Sequence, residues 1–116
     1  MREILFRGKR IDSGEWVYGT MYKIATDLNP FILTCGKQGC SYQVEEETVG
    51  QYTGLNDKNG NLIFDGDILS LPNGRQHVVI FEDGAFVIEN TEIPMRFANK
   101  FEVIGNITDN PELLEK

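Results

Sequence analysis

The sequence predicts an all-β, mainly strand-built protein: a small SH3-like barrel with an added N-terminal β-hairpin and a short C-terminal helix. Short apolar stretches alternate with turn-forming residues along the chain, which is typical of β-sheet proteins. No segment shows a long apolar periodicity of helical type. The 116 residues suffice for one domain with its own core. We therefore expect a single domain over 1–116, with the hairpin region at 1–49 and the barrel at 50–116.

The first two predicted strands form the N-terminal hairpin. Residues 2–8 (REILFRG) alternate between apolar and polar side chains, and residues 15–22 (EWVYGTMY) are rich in aromatic side chains that suit a pleated sheet. Between them lies Gly14, which can take the positive φ that a three-residue hairpin loop requires. Further along, the three glutamates at 45–47 fit either a charged strand edge or one helical turn, and the sequence leaves both open.

The most polar stretch, residues 53–69 (TGLNDKNGNLIFDGDIL), could bind an ion or simply turn the chain. In a calcium loop with Gly60 at the sixth position, the first and twelfth positions would be Leu55 and Gly66, which offer no side-chain oxygen. The Gly-Lys-Ser/Thr string of a phosphate-binding loop is also absent. We therefore predict two chain reversals here. The predicted turn residues of the whole chain are Gly14, Gly54, Asp57, Gly60, Gly66, Asp67, Asp83 and Gly84.

Residues 75–90 carry the strongest hairpin signal. Asp83-Gly84 is a favoured two-residue loop, because both positions must take a positive φ that matches the twist of the strands. The loop predicts the cross-strand pairs Glu82–Ala85, Phe81–Phe86, Ile80–Val87 and Val79–Ile88. Since both faces of the hairpin are apolar near the turn, we expect both to be covered, as they would be in a barrel.

The C-terminus is predicted to form a helix of one or two turns. Asn110 can cap it, Pro111 suits the first helical position, and Glu112 is favourable near the positive end of the helix dipole. We expect Leu113 and Leu114 to pack against the domain.

Charge and hydropathy limit the possible partners. The net charge is −7, which disfavours non-specific binding to nucleic acid. The charge is uneven, because residues 1–10 carry +3 and residues 45–67 carry −5. No apolar stretch is long enough to cross a bilayer or to act as a secretory signal, so we expect a cytoplasmic protein without a membrane partner.

The residue types that carry out catalysis are sparse. Cys35 and Cys40 form one close pair, but a structural zinc site commonly needs two such pairs, and His77 is the single histidine. His77 lies within a predicted strand, where a structural or surface role is the simpler interpretation. Two free thiols at a hairpin end are the expected state of the cysteines in a reducing compartment. We expect no catalytic residue, no metal and no cofactor.

The first hairpin combines aromatic and basic side chains. Trp16, Tyr18 and Tyr22 fall on one face of the second strand, beside the basic first strand. Such aromatic side chains belong either to a core or subunit interface or, next to cations, to a surface that stacks nucleic-acid bases. The candidate contact residues are Arg2, Arg7, Lys9, Arg10, Trp16 and Tyr18.

Three blocks of the sequence resemble a known family. The opening REILFRGKRIDSGEWVYG, the central VGQYTGLNDKNGNLIFDGDIL and the final FEVIGNITDNPELLEK resemble the YopX family of phage and prophage proteins, in the same order. Residues 22–44, which include both cysteines, match no pattern of that family. The resemblance implies a mostly-β protein in the cytoplasm of a bacterial host cell. It implies no assigned activity, and it transfers no catalytic residue.

Two functions are consistent with these features. The first is a non-enzymatic interaction or assembly module that forms homo-oligomers and contacts host or phage proteins. The alternative is a nucleic-acid-associated regulator that uses the basic N-terminal segment.

Overall fold

The computed structural model describes residues 4–34 and 39–114. Within these ranges the strands are β1 (Phe6–Lys9), β2 (Trp16–Tyr22), β3 (Phe31–Thr34), β4 (Ser41–Gln43), β5 (Gly50–Asn56), β6 (Leu62–Phe64), β7 (Asp67–Ser70), β8 (Gln76–Glu82), β9 (Ala85–Ile88) and β10 (Glu102–Asn106). Short 3-10 helices cover Glu46–Thr48, Met95–Lys100 and Pro111–Leu114.

These strands form two sheets, with the orders β4-β3-β2-β1-β5-β6 and β10-β7-β8-β9. The all-β class predicted from the sequence is thus confirmed. The described strands close no barrel, so the narrower expectation of an SH3-like barrel over 50–116 is not confirmed. The chain divides into two compact units, residues 1–52 and 53–116, and the division falls within β5.

The first unit is an antiparallel meander rather than a hairpin alone. β1 pairs with β2, β2 with β3, and β3 with β4, while β1 also pairs with the start of β5. Ile32 and Val44 are completely buried in this unit. After β4, the glutamate run contains a 3-10 turn at Glu46–Thr48, so the helical alternative for this segment is correct for that turn.

The second unit holds the main apolar cluster. Its buried members are Ile63, Leu69, Leu71, Val79, Ile88, Ala98 and Phe101. The aliphatic residues of β6 to β9 supply most of this cluster, and the Met95–Lys100 helix with the residue after it adds Ala98 and Phe101. The free energy of burying these side chains is the main stabilising term for such a unit.

The β8–β9 hairpin has the predicted register. Its pairs are Val79–Ile88, Ile80–Val87, Phe81–Phe86 and Glu82–Ala85, as the Asp83-Gly84 loop predicts. The expectation that both faces are covered up to the turn is wrong, however. Val78 and Val79 are buried at the base, but Phe81 is 56% exposed near the turn. The reason is that the hairpin extends beyond the apolar cluster that covers its base.

The C-terminal helix is shorter than the two turns that the sequence permits. It is a single 3-10 segment, Pro111–Leu114, in which Leu113 is half-buried and Leu114 is exposed. The expected packing of Leu114 is therefore wrong, because four residues of 3-10 helix place successive leucines on different sides of the axis. The Asn110 Oδ1 atom accepts a hydrogen bond from the Asn106 N–H at 3.2 Å, and the Asn110 carbonyl accepts one from the Leu113 N–H at 3.0 Å.

Candidate functional site

The polar stretch around Asp57 organises the main chain. The Asp57 side chain is buried, and its carboxylate accepts four hydrogen bonds. The donors are the N–H groups of Asn59 (2.9 Å), Asn61 (2.8 Å) and Val103 (2.9 Å), together with the Asn61 side-chain amide (3.2 Å). Burial alone would raise the pKa of Asp57, but the hydrogen bonds from Val103 and Asn61 outweigh it, so the pKa is lowered. The carboxylate thus joins its own loop to β10.

The second reversal of this stretch is built in the same way. The Asp67 carboxylate is buried and accepts a hydrogen bond from the Phe64 N–H at 2.7 Å. Between them Gly66 has φ of +95°, a conformation that suits glycine. The stretch that most resembled an ion-binding loop therefore directs its Asp57 and Asp67 carboxylates toward backbone donors.

The remaining predicted turn residues lie mainly at reversals. Gly14, Gly60 and Gly84 have φ of +75°, +85° and +85°, and Asp83 has φ of +52°. Gly54 is different: it lies inside β5, where its φ of +89° marks an irregularity of the strand instead of a turn.

The exposed side of β1, β2 and β3 gathers aromatic and basic side chains. In the sheet Lys9 lies opposite Trp16, and Arg7 lies opposite Tyr18. On the next strand Tyr22 lies opposite Phe31, and Thr20 opposite Leu33. Because opposite residues in an antiparallel pair share a face, these side chains form one surface. We call it the aromatic–basic face, made up of Arg7, Lys9, Trp16, Tyr18, Tyr22, Phe31 and Leu33.

Cations pack on the aromatic rings of this face. The Arg7 guanidinium carbon lies 4.8 Å from the Trp16 ring centroid, and Lys9 Nζ lies 5.8 Å from it. Both distances fall within the range of cation–π attraction. Beside them, Tyr22 and Phe31 stack with centroids 5.2 Å apart and rings 10° from parallel. The face is therefore an ordered array of flat rings and positive charges.

The aromatic–basic face is accessible to a partner. Tyr18 is 44% exposed, Leu33 41% and Tyr22 38%. Arg7, by contrast, is buried, and its guanidinium lies against the Trp16 ring. Exposed aromatic side chains grouped on one sheet face are typical of surfaces that bind another molecule.

Arg10 belongs to a different surface. Its guanidinium donates two hydrogen bonds to the Asp12 carboxylate, at 2.9 and 2.7 Å, and lies 4.1 Å from the Tyr42 ring centroid. The hydrogen bond with Asp12 raises the pKa of Arg10, and the same bond lowers the pKa of Asp12. Of the other predicted contact residues, Arg2 lies outside the described residues, while Arg7, Lys9, Trp16 and Tyr18 come together.

Sequence reasoning missed two members of the face, Phe31 and Leu33. The two residues occupy alternate positions of β3, so the period-two spacing in the sequence indicated that they share a face of the strand. What the sequence did not provide was the pairing of that strand with β2, which brings Phe31 against Tyr22.

The thiol and histidine candidates are not members of this face. Cys35 is outside the described residues, and Cys40 is an exposed free thiol. A hydrogen bond with Cys40 raises the pKa of Tyr42. His77 Nδ1 lies 3.1 Å from the Glu89 carbonyl oxygen across the β8–β9 hairpin. No group of three or more potential metal ligands occurs in the part of the chain that the structure describes.

The fold and the site together define an antiparallel all-β protein with an exposed aromatic–basic sheet face. No helix within residues 4–34 and 39–114 has the length and apolar character that a membrane-spanning helix needs. The model of the YopX protein family matches residues 5–115, so the chain belongs to the YopX family. The family resemblance stated above is thereby confirmed.

A solved structure shares this fold. Protein EF1440 from Enterococcus faecalis is 25% identical and superposes with a TM-score of 0.67, over 99% of this chain and 100% of that one. A comparison with curated proteins gave no significant match.

Proposed function

We propose that the protein is a non-enzymatic interaction module that forms homo-oligomers through the aromatic–basic face. The array of half-buried Trp16 with exposed Tyr18 and Tyr22 on one sheet carries this proposal. Large flat side chains bury much apolar area and lose little conformational freedom, which makes them effective at protein interfaces. The charge pattern supports self-association, since the basic face belongs to a chain of net charge −7.

The proposal also covers where the protein acts and whether it catalyses a reaction. Family membership is consistent with a phage or prophage protein that acts in the bacterial cytoplasm and contacts host or phage proteins. The non-enzymatic role is supported by the position of His77, which faces the Glu89 carbonyl in a hairpin instead of a nucleophile. It is also supported by Asp57 and Asp67, whose carboxylates accept backbone hydrogen bonds.

Self-association is tested by sedimentation velocity over a concentration series. The wild type is expected to show reversible oligomers, and Tyr18→Ala should weaken association by at least about tenfold, as for an interface aromatic. Leu28→Ala is the control, because Leu28 is 90% exposed in the loop before β3 and outside the face. A wild type that stays monomeric at every concentration would overturn the proposal.

A second candidate function, nucleic-acid binding, is favoured by one observation. On the paired strands β1 and β2, Trp16 lies opposite Lys9 and Tyr18 lies opposite Arg7. Aromatic rings next to positive charges are what a surface that stacks nucleic-acid bases requires. The test is fluorescence anisotropy with a labelled single-stranded oligonucleotide. Binding should weaken steeply with salt, and it should be lost in Trp16→Ala. No anisotropy change at low salt would remove this candidate.

A further inference from the structure

The tip of the β8–β9 hairpin presents a second exposed apolar surface. Phe81 is 56% exposed, and its ring meets Phe86 edge to face with centroids 5.0 Å apart. The two rings share a face with the buried pair Val79 and Ile88, so an apolar strip continues outward past the edge of the core. We call residues 81–86 the hairpin tip.

The hairpin tip is acidic, whereas the aromatic–basic face is positive. Glu82 and Asp83 are exposed at the tip, and residues 76–95 contain four acidic side chains and no lysine or arginine. Of the residues that make up the aromatic–basic face, Arg7 and Lys9 are positive and none is negative. Each surface therefore combines aromatic rings with charge, and the signs are opposite. Such complementarity favours the right partner and sets its orientation.

The hairpin tip is also held in one conformation. The four cross-strand pairs of the β8–β9 hairpin follow from the two-residue loop, and Val79 and Ile88 at the base of the hairpin are buried in the core. A surface that is already ordered loses little conformational freedom on binding. Hence the tip suits insertion against a flat array of rings.

We propose that the hairpin tip of one copy binds to the aromatic–basic face of a second copy. This inference rests on the proposed function and names the surface that fills the face. Phe81 and Phe86 pack on the exposed rings of Tyr18 and Tyr22, and Glu82 approaches Lys9. Because the two contacting surfaces are different, the association is head-to-tail, and repetition gives a closed ring or an open filament.

Charge reversal tests the pairing of the two surfaces. Lys9→Glu puts two negative charges at the proposed contact between positions 9 and 82, and Glu82→Lys puts two positive charges there, so each variant alone should associate at least about tenfold more weakly than the wild type. An equimolar mixture should recover association, because every face in an alternating assembly then meets a tip of opposite charge. Sedimentation velocity with one variant fluorescently labelled measures this recovery. Separate weakening without recovery on mixing would overturn the inference.

A second variant tests the tip without altering charge. Phe81→Ser should weaken association by about tenfold or more, while Ile107→Ser, an exposed isoleucine 45% accessible outside the tip, should leave it unchanged. Circular dichroism and thermal unfolding show that each variant is folded. If Tyr18→Ala weakens association but Phe81→Ser and Glu82→Lys do not, this inference fails and the proposed function stands. If the wild type is monomeric, the proposed function itself fails.

Discussion

Asp57 shows how a single carboxylate can link distant parts of the chain. Its Oδ1 atom accepts hydrogen bonds from Asn59 and Asn61 within its own turn, and Oδ2 accepts one from Val103, 46 residues further on. The neighbouring Lys58 N–H adds a backbone bond to the Phe101 carbonyl at 3.0 Å. The turn is therefore fastened to the start of β10 by two adjacent residues.

We predict that Asp57→Ala lowers the free energy of unfolding by about 3 kcal/mol, because it leaves the partly buried N–H groups of Asn59, Asn61 and Val103 without this acceptor. Chemical denaturation measures the change. The control is Glu92→Ala, which removes an exposed carboxylate from the same unit and should change the free energy by less than about 0.5 kcal/mol. Equal effects of the two substitutions would show that the Asp57 hydrogen bonds contribute nothing particular.

The lowered pKa of Asp57 predicts an acid-dependent contribution to stability. An unperturbed aspartate titrates at about pH 3.9, so the stabilisation by the ionised form is fully present above that pH. It is lost as the pH falls through the lower pKa of the folded state. Denaturation of wild type and Asp57→Asn between pH 7 and about pH 2 should show their difference shrinking below about pH 4. A difference that is independent of pH would contradict the assigned ionisation.

For Asp57, the sequence predicted the turn but not the hydrogen bond to β10. The Asp-Lys-Asn-Gly string indicates a turn with Gly60 at positive φ, and the structure has φ of +85° there. The bond to Val103 was not predictable, since the two residues meet only after β10 has joined its sheet. Hydrogen bonds within a turn can be predicted from the spacing of residues in the sequence. Those between distant segments can be predicted only when the pairing of the strands is known.

At the scale of elements, glycine serves two different purposes in this fold. Gly84 has φ of +85°, and a Cβ built there meets nothing within 4 Å, so only the backbone conformation favours glycine. Gly19 lies in the middle of β2, and a Cβ there would collide with the Leu33 carbonyl oxygen of β3. One glycine allows a turn, and the other allows close approach of two strands.

We predict that Gly19→Ala destabilises the protein more than Gly84→Ala. The second substitution should lower the free energy of unfolding by about 1–2 kcal/mol, the usual penalty of a left-handed conformation. The first must displace β3 from β2, and we expect more than about 3 kcal/mol, as for severe overpacking. Thermal and chemical denaturation of both variants provide the comparison. A milder effect at Gly19 would mean that β2 and β3 can separate easily.

Elements with strong local signals were predicted better than those that depend on packing. The Asp83-Gly84 loop gave the correct register of four pairs, because turn geometry alone determines which residues face each other. The exposure of Phe81 and Leu114 was not anticipated, since it depends on where the apolar cluster ends. Phe31 and Leu33 were missed for a different reason, because the sequence did not show that β3 pairs with β2.

For the whole molecule, electrostatics act over two distances. Every copy carries −7, so copies repel one another at long range. At short range, the proposed contact brings Lys9 of one copy to Glu82 of another. The repulsion extends over the whole surface of each copy, whereas the attraction is confined to the proposed interface. Salt screens them at different concentrations, because the screening length is about 30 Å at 0.01 M and about 3 Å at 1 M.

We predict that self-association is strongest at an intermediate salt concentration, near 0.1 M, where the screening length is about 10 Å. Below it, repulsion between acidic copies weakens association; toward 1 M, the attraction between the aromatic–basic face and the hairpin tip is screened as well. Sedimentation velocity from 0.01 to 1 M sodium chloride measures the dependence. Glu82→Lys should remove the weakening at high salt, because the pair that salt screens is gone. Nucleic-acid binding would instead fall continuously from the lowest salt upward, so the shape of the two curves separates the candidate functions.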